Sequence, residues 1–186
     1  MFFIYNIFLI IILLISPIIL LIRIFLGKED KIRFKEKFCL FSKKNYVNGT
    51  IWFHGASVGE ILSIIPIVER FEKDNKIKKI LITSSTTSSS YILSKYKFKK
   101  TIHQFYPFDL NILTKLFINY WKPRLAIFVD SEIWPNMYNN LYKKKIPLVL
   151  LNARITEKSF NRWKYFPNFS KNIFEKISVE LPKNKE

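Results

Sequence analysis

The chain has 186 residues, with 31 basic and 14 acidic side chains and a formal net charge of +17. Its hydrophobic content of 49% excludes intrinsic disorder, its single Cys excludes a disulfide framework, and its two well-separated His residues argue against a His-based zinc site. The positive charge leaves three classes of partner open: nucleic acid, an anionic membrane and a phosphorylated substrate.

The first segment, residues 1–26, is predicted to be a membrane anchor. Residues 2–22 carry no charged side chain, and about 20 residues at roughly 1.5 Å each match a bilayer core of about 30 Å. No Lys or Arg precedes this run and no A-x-A pattern follows it, which argues against a signal peptide. The basic residues that follow predict a cytoplasmic location for the rest of the chain, anchored at the plasma membrane. A buried core helix is the alternative, and Pro17 leaves open whether the segment spans the bilayer or lies in one leaflet.

Residues 27–49 form a basic and partly helical connector. Its charges fit either a solvated face or, beside an anchor, contact with anionic lipid headgroups. Cys39 lies within this connector, and we interpret it as a reduced cysteine with no chemical role.

From residue 50 onwards, short apolar runs alternate with helical segments. Strands are predicted at Thr50–His54, Lys79–Ser84, Thr101–Tyr106, Arg124–Val129 and Pro147–Leu151, and helices at Ile61–Asn75, Ser89–Tyr96, Leu110–Tyr120 and Pro135–Lys145. This alternation is typical of βαβ units, so the predicted class is α/β with a mostly parallel sheet over residues 50–186. In such sheets ligands bind at the carboxyl ends of the strands, so the turns there are the candidate sites.

The turn after the first strand, residues 54–60, has the sequence HGASVGE. Small residues such as Ser57 and Gly59 let a substrate approach the backbone, and free N–H groups at a helix start favour anions. Glu60 would lie in the first helical turn, ionised, where it could act as a general base. The alternatives are that Glu60 only stabilises the helix start and that His54 is only a packed residue at the strand end.

Two further turns carry polar clusters. Residues 83–90 offer hydroxyls that could bind sugar or phosphate oxygens, or could simply cap the next helix. Residues 130–136 (DSEIWPN) place Asp130 and Glu132 two positions apart at a strand end, where burial would require a partner. Arg154, after the fifth strand, could be that partner, and a solvated capping motif is the alternative.

Taken together, these turns resemble a known family. The segments HGASVGE (54–60), DSEIWPN (130–136) and LNARIT (151–156) are similar to the 3-deoxy-D-manno-octulosonic acid (Kdo) transferases of Gram-negative lipopolysaccharide synthesis. KIPLV (145–149) and YPFD (106–109) fit the same pattern, as does the preceding N-terminal anchor. The match covers the N-terminal half of the family, in which Glu is usual at the position of Asp130 and Gly is common at the position of Ser89.

The resemblance implies a GT-B glycosyltransferase, in which two Rossmann-like domains face each other across a cleft. This chain would supply the acceptor domain, which binds a lipid A precursor (lipid IVA), while a C-terminal domain binds CMP-Kdo. The resemblance makes Glu60 the catalytic base and Asp130 a stabiliser of the transition state. It further implies substrate binding by Ser57, Gly59, Glu132, Asn136 and Arg154. It implies no metal and no cofactor apart from the donor substrate.

The resemblance also sets an expectation for activity. By this resemblance we expect residues 1–186 to include no donor domain, and therefore to lack transferase activity on their own. The competing interpretation is a membrane-anchored module that binds the acceptor lipid without catalysis. Nucleic-acid binding rests on charge alone, since the sequence has no recognition motif of the usual kinds.

Overall fold

A computed structural model describes residues 2–41, 48–130 and 133–182. The helices are α1 (Phe2–Phe25), α2 (Val58–Lys73), α3 (Thr87–Ser94), α4 (Asn111–Trp121), α5 (Pro135–Lys143), α6 (Glu157–Lys164) and α7 (Pro167–Phe174). The strands are β1 (Thr50–His54), β2 (Ile80–Ser84), β3 (Thr101–Phe105), β4 (Pro123–Val129), β5 (Leu148–Ala153) and β6 (Val179–Pro182). A 3-10 helix lies between α1 and β1 at Arg33–Phe38.

The strands form one parallel sheet in the order β3-β2-β1-β4-β5-β6. The chain builds outward from β1 to β3 and then crosses back to place β4 beside β1, with His54 opposite Phe128 in the register. This is the strand order of a Rossmann-like fold, in which the crossing opens a crevice at the carboxyl ends of the two central strands. The predicted α/β class and parallel sheet are confirmed.

The five predicted strands are all present, with ends that differ by one or two residues. Helix α2 begins three residues earlier than the hydrophobic periodicity indicates, because the Ser57 side chain caps it by accepting a hydrogen bond from the Glu60 N–H. Helices α6 and α7 and strand β6 were not predicted. Helices α6 and α7 have eight residues each, fewer than the roughly 11–18 over which hydrophobic periodicity identifies a helix, and β6 has only four.

Apolar residues on both faces of the sheet form the core. Because successive strand residues point to opposite faces, Trp52 packs among side chains of α4 and α5, whereas Phe53 packs among those of α2. Trp52 and Phe53 have no solvent exposure. Complete burial of each large side chain contributes about 1.5–3 kcal/mol, so this double-sided core holds the strand ends, and the turns that follow them, in fixed positions.

The basic connector binds the outer edge of the sheet through its 3-10 helix. Glu36, only 1% exposed, accepts a hydrogen bond from the Phe105 N–H at 2.9 Å and pairs with Arg33 at 2.8 Å. Part of the connector's charge is therefore neutralised within the protein. Burial raises the pKa of the Cys39 thiol to about 12, so this cysteine stays protonated at neutral pH, as expected for an unreactive residue.

Helix α1 is long and apolar enough to cross a membrane, judged by its length and composition. Its N-terminal end touches the sheet domain, because the Tyr5 hydroxyl donates a hydrogen bond to Asp109 at 2.8 Å and the Phe2 ring packs on Phe169 at 5.1 Å. The helix is a candidate membrane anchor that also contacts the folded domain.

Candidate functional site

The candidate site lies where the carboxyl ends of β1 and β4 meet. These adjacent strands lead into the HGASVGE turn and into Asp130, and β5 leads on the other side to Arg154. The parallel sheet thus brings segments separated by about 70 to 100 residues to one edge, as expected for a ligand site in such a fold.

The HGASVGE turn holds the carboxylate of Glu60 through a capping box. The Ser57 hydroxyl donates to Glu60 Oε1 at 2.7 Å, while the Ala56 N–H donates to Oε2 at 2.8 Å. In return, the Glu60 N–H donates to Ser57 Oγ at 3.3 Å. These bonds stabilise the start of α2, as one interpretation of the sequence proposed.

The capping role does not exhaust the hydrogen-bonding capacity of Glu60. An ionised carboxylate has about four lone-pair positions, and two of them are used by Ser57 and Ala56. Glu60 is half-buried, so part of this residue is open to solvent at the carboxyl end of β1. The arrangement fixes the orientation of a carboxylate that can still accept a proton.

The two glycines of the turn have different roles. A Cβ atom added to Gly55 would lie 3.1 Å from the Glu60 Cβ and 3.3 Å from the Ile61 Cδ1, closer than side chains normally pack. A Cβ added to Gly59 would meet no atom within 4 Å. Gly55 therefore allows the carboxylate to pack closely, whereas Gly59 leaves open space beside it that a ligand could fill.

Asp130 follows β4 in a left-handed conformation with φ of 57°, which Asp tolerates better than most residues. Its N–H donates to the Leu151 carbonyl at 2.9 Å, and its carboxylate pairs with Arg154 at 3.4 Å. The expected partnership between Asp130 and Arg154 is therefore present. The Arg154 side chain is 58% exposed, so the pair adds little stability and leaves the guanidinium accessible to an anionic ligand.

Asn136 occupies a different environment from these site residues. It is 2% exposed, and its side-chain amide donates to the Asp109 carbonyl and, at 2.9 Å, to Asn6 of α1. These contacts indicate a structural role, and the substrate-binding role of Asn136 stays a prediction. Glu132 lies outside the described residues.

Asp109 is a buried structural residue whose role sequence reasoning missed. It is 2% exposed, and its carboxylate accepts the N–H groups of Asn136 at 2.9 Å and Met137 at 2.8 Å, capping α5 from a distant loop. Burial raises the pKa of Asp109 to about 7, against the opposing effect of those N–H groups and of the Tyr5 hydroxyl. The sequence offered one indirect signal. Trp134, which precedes Pro135 at the start of α5, is not a capping residue and makes no capping hydrogen bond, so a cap had to come from elsewhere in the chain.

The remaining polar residues near the strand ends have structural roles. His54 has no solvent exposure, hydrogen-bonds through Nδ1 with Thr83 Oγ1 at 2.9 Å and stacks on Tyr106 at 4.0 Å. In the serine-rich turn, Thr86 Oγ1 accepts the Ser89 N–H and so caps α3. The packed interpretation of His54 and the capping interpretation of the turn are both confirmed.

A cavity of about 880 Å³ adjoins the site beyond β5. Its walls include apolar side chains of α6 and α7 together with two guanidinium groups: Trp163, Phe166, Phe174, Ile155, Arg154 and Arg162. Its volume is in the range of ligand pockets. The sequence analysis missed this cavity because α6, α7 and β6, which build it, were not predicted.

Across the described ranges 2–41, 48–130 and 133–182, no three His, Cys, Asp or Glu side chains cluster in a way that could hold a metal ion.

Solved structures with a similar fold include UDP-N-acetylglucosamine 2-epimerases. A UDP-N-acetylglucosamine 2-epimerase superposes with a TM-score of 0.51 at 12% identity, covering 75% of this chain and 40% of that chain. The UDP-GlcNAc 2-epimerase from Neisseria meningitidis, bound to UDP-GlcNAc, gives a TM-score of 0.50 at 14% identity over 72% of this chain and 39% of that chain. At these identities the likeness shows the Rossmann-like fold alone.

Sequence relatives carry more specific information. The 3-deoxy-D-manno-octulosonic acid transferase of Rickettsia bellii is 40% identical over 161 residues, covering 87% of this chain. That of Haemophilus influenzae is 30% identical over 129 residues, or 69% of this chain. The matches cover 38% and 30% of those relatives, so this chain corresponds to about a third of their length.

A family model describes the same relationship over most of the chain. Residues 32–186 match the model of the 3-deoxy-D-manno-octulosonic-acid transferases (kdotransferases). That range contains the capping box of Glu60, the Asp130–Arg154 pair and the cavity beyond β5. The chain therefore belongs to the 3-deoxy-D-manno-octulosonic-acid transferase (kdotransferase) family.

Proposed function

We propose that this chain is the acceptor-binding part of a GT-B glycosyltransferase that transfers Kdo from CMP-Kdo to a lipid A precursor, lipid IVA, in lipopolysaccharide synthesis. The observation that carries the proposal is the Glu60 carboxylate, oriented by Ser57 and Ala56 at the crevice between β1 and β4. The donor, CMP-Kdo, would bind a second domain across the cleft, and the protein would act at the cytoplasmic face of the inner membrane.

In the proposed reaction Glu60 takes the proton from a sugar hydroxyl of the acceptor. The oxygen of that hydroxyl forms a bond to the anomeric carbon of Kdo as the bond from this carbon to the CMP phosphate breaks, and CMP leaves with the bonding electrons. The transition state has oxocarbenium character. The carboxylate of Asp130, held by Arg154 at 3.4 Å, would stabilise the positive charge that develops.

The cavity beyond β5 supports the proposed acceptor. An amphiphile with acyl chains and phosphate groups needs an apolar volume bordered by cations. Trp163, Phe166 and Phe174 line this cavity together with Arg154 and Arg162. Guanidinium groups suit phosphate because their donors match its oxygens in pairs. Since Arg154 also contacts Asp130, the acceptor headgroup would lie close to the proposed catalytic groups.

A second candidate function is a membrane-bound module that binds the acceptor lipid without catalysis. One observation favours it: both carboxylate oxygens of Glu60 already serve the start of α2. On this view the carboxylate stabilises the helix and performs no proton transfer.

The substitution Glu60→Gln separates the two candidates. For the assay, residues 1–186 would be joined to the part of the Rickettsia bellii relative that lies beyond the region shared with this chain. Transfer of Kdo from CMP-Kdo to lipid IVA would be measured by thin-layer chromatography. Loss of a general base lowers the rate by about 10²–10⁴-fold, whereas loss of one capping hydrogen bond costs only about 1 kcal/mol of stability.

Thr86→Ala is the control for loss of a helix cap, because Thr86 Oγ1 accepts the Ser89 N–H at the start of α3 and the substitution keeps both Glu60 and Ser57. If Glu60 is the base, Glu60→Gln abolishes most transfer while Thr86→Ala retains most of it. Equal, small effects of the two substitutions would assign Glu60 to the helix cap alone. Assaying residues 1–186 without the added part tests the expectation that the chain by itself is inactive.

A further inference from the structure

Helix α1 is covered by the protein along one side over its whole length. The positions Phe2, Leu9, Ser16 and Arg23, spaced by seven residues, are all buried or half-buried. Successive residues of an α-helix are turned by about 100° around its axis. All buried or half-buried residues of α1 therefore fall within an arc of roughly 120° around the axis, which we call the covered stripe. A helix that stood alone in a bilayer would show no such stripe.

The opposite side of α1 is exposed and entirely apolar. The positions Ile4, Ile11, Ile18 and Phe25, also spaced by seven, are 66%, 50%, 62% and 88% exposed. We call the exposed side the outer arc. The polar residues of the helix are Tyr5, Asn6, Ser16 and Arg23, and all of them lie on the covered stripe.

Both ends of α1 are tied to the same domain. At the N-terminal end, Tyr5 donates to the buried carboxylate of Asp109 at 2.8 Å. At the C-terminal end, Arg23 pairs with Glu29 at 3.2 Å, and Glu29 pairs with Lys37 at 2.6 Å. In a helix that crosses a bilayer, the two ends lie about 30 Å apart on opposite faces of the membrane. The domain would lie on one of these faces, so only the helix end on that face could contact it.

We propose that α1 lies parallel to the membrane surface and inserts its outer arc into a single leaflet. This inference rests on the membrane association put forward with the proposed function and gives that association a geometry. The covered stripe remains against the domain, so the polar side chains of the helix stay out of the lipid. An apolar helix face at this depth reaches about 5–10 Å into the boundary between headgroups and acyl chains.

The charges beside α1 identify the occupant of the outer arc as anionic lipid. Lys28 and Lys31 are exposed just beyond the C-terminal end of α1. Cations beside an apolar helix face complement the headgroups of an anionic leaflet. The aromatic side chains of Tyr165 and Phe166, exposed between α6 and α7, are of the type that lies at membrane interfaces.

Depth-dependent fluorescence quenching tests this orientation in the full 186-residue chain. Single substitutions Ile4→Cys, Ile11→Cys, Ile18→Cys and Phe25→Cys would each carry a fluorophore, while the buried Cys39 stays unlabelled. The protein is bound to vesicles of equal parts phosphatidylethanolamine and phosphatidylglycerol that contain quenchers attached either near the headgroup or near the acyl-chain end. Positions 4 and 25 are separated by about 32 Å along the helix axis.

The in-plane orientation predicts that all four fluorophores are quenched most by the shallow quencher and to the same degree. Deep quenching at positions 11 and 18 with shallow quenching at 4 and 25 would show a spanning helix and overturn the proposal. No quenching at any position would also overturn it and would indicate a protein occupant, such as a second copy of the chain.

A second series, Ile7→Cys, Leu14→Cys and Leu21→Cys, samples the same outer arc if a member of the first series does not fold.

A charge substitution tests the same surface independently. Ile11→Lys places a charge on the outer arc, and Leu62→Lys, on α2 and 43% exposed, is the control for a general effect of added charge. We expect Ile11→Lys to weaken vesicle binding and Leu62→Lys to leave it unchanged. The experiment contains no sugar donor or acceptor, so failure of glycosyl transfer and failure of this proposal are distinguishable.

Discussion

The buried carboxyl of Asp109 gives the structure an unusual dependence on pH. Its three hydrogen-bond donors are the N–H groups of Asn136 and Met137 and the hydroxyl of Tyr5. Asp109→Ala removes the acceptor from all three. A buried donor left without its acceptor costs about 1–3 kcal/mol, so loss of the two backbone contacts alone should lower the free energy of unfolding by about 2–6 kcal/mol at pH 5.

The loss should be smaller at higher pH. The pKa of Asp109 is raised from 3.8 to about 7 in the folded protein, so between these values the folded form retains a proton that the unfolded form releases. The free energy of unfolding of the unsubstituted protein therefore falls as the pH rises from about 4 to about 7, and then levels off. Between pH 5 and pH 8 the fall is about 3 kcal/mol, at about 1.36 kcal/mol per pH unit up to the folded pKa.

Urea unfolding, followed by tryptophan fluorescence in a mild detergent that shields α1, measures both effects. The unsubstituted protein should lose stability from pH 5 to pH 8, and Asp109→Ala should lose much less over the same range. Asp74→Ala is the control, because Asp74 is exposed and also accepts a backbone hydrogen bond, from Lys76 at 2.8 Å. An unsubstituted protein that gains stability towards pH 8, or an Asp109→Ala protein with the same pH slope, would refute the reasoning.

Two further predictions concern the site. Gly55→Ala forces a methyl group to within 3.1 Å of the Glu60 Cβ and should cost about 1–3 kcal/mol in urea unfolding, whereas Gly59→Ala meets no protein atom and should be neutral or stabilising by up to about 1 kcal/mol. Equal stability of the two variants would contradict the close packing at Gly55. Arg154→Ala removes an exposed ion pair and should change stability by less than about 1 kcal/mol, yet it should reduce Kdo transfer by the joined two-part protein. A loss of more than about 1 kcal/mol in the free energy of unfolding, with Kdo transfer unchanged, would give Arg154 a structural role instead.

The sequence by itself determined the class of the fold and the place of the site. Short apolar runs such as TIWFH and RLAIFV are long enough only for buried strands, and the helical segments between them require parallel pairing. The turns that follow those strands must then share one edge of the sheet. The family was likewise readable from the sequence, because its motifs occur within these turns.

Tertiary structure decided how deeply each polar residue of the motifs is buried. Spacing alone could not distinguish Glu60, half-buried at the crevice, from Asn136, which is buried against Asp109 and α1. The cap of α5 comes from a residue 26 positions before its first helical residue, Pro135, so no local pattern could reveal it. The cavity depends on α6, α7 and β6, which are too short for hydrophobic periodicity to identify them from the sequence.

Helix α1 shows the same division most clearly. Composition established that residues 2–22 are apolar enough for a membrane. Composition does not specify which side of the helix contacts the domain or how the helix is oriented in the membrane. The tertiary contacts of Tyr5 with Asp109 and of Arg23 with Glu29 bring both ends of the helix to one domain and separate a covered stripe from an exposed arc. Those contacts are made between residues far apart in the chain or across a turn, and only the folded structure specifies them.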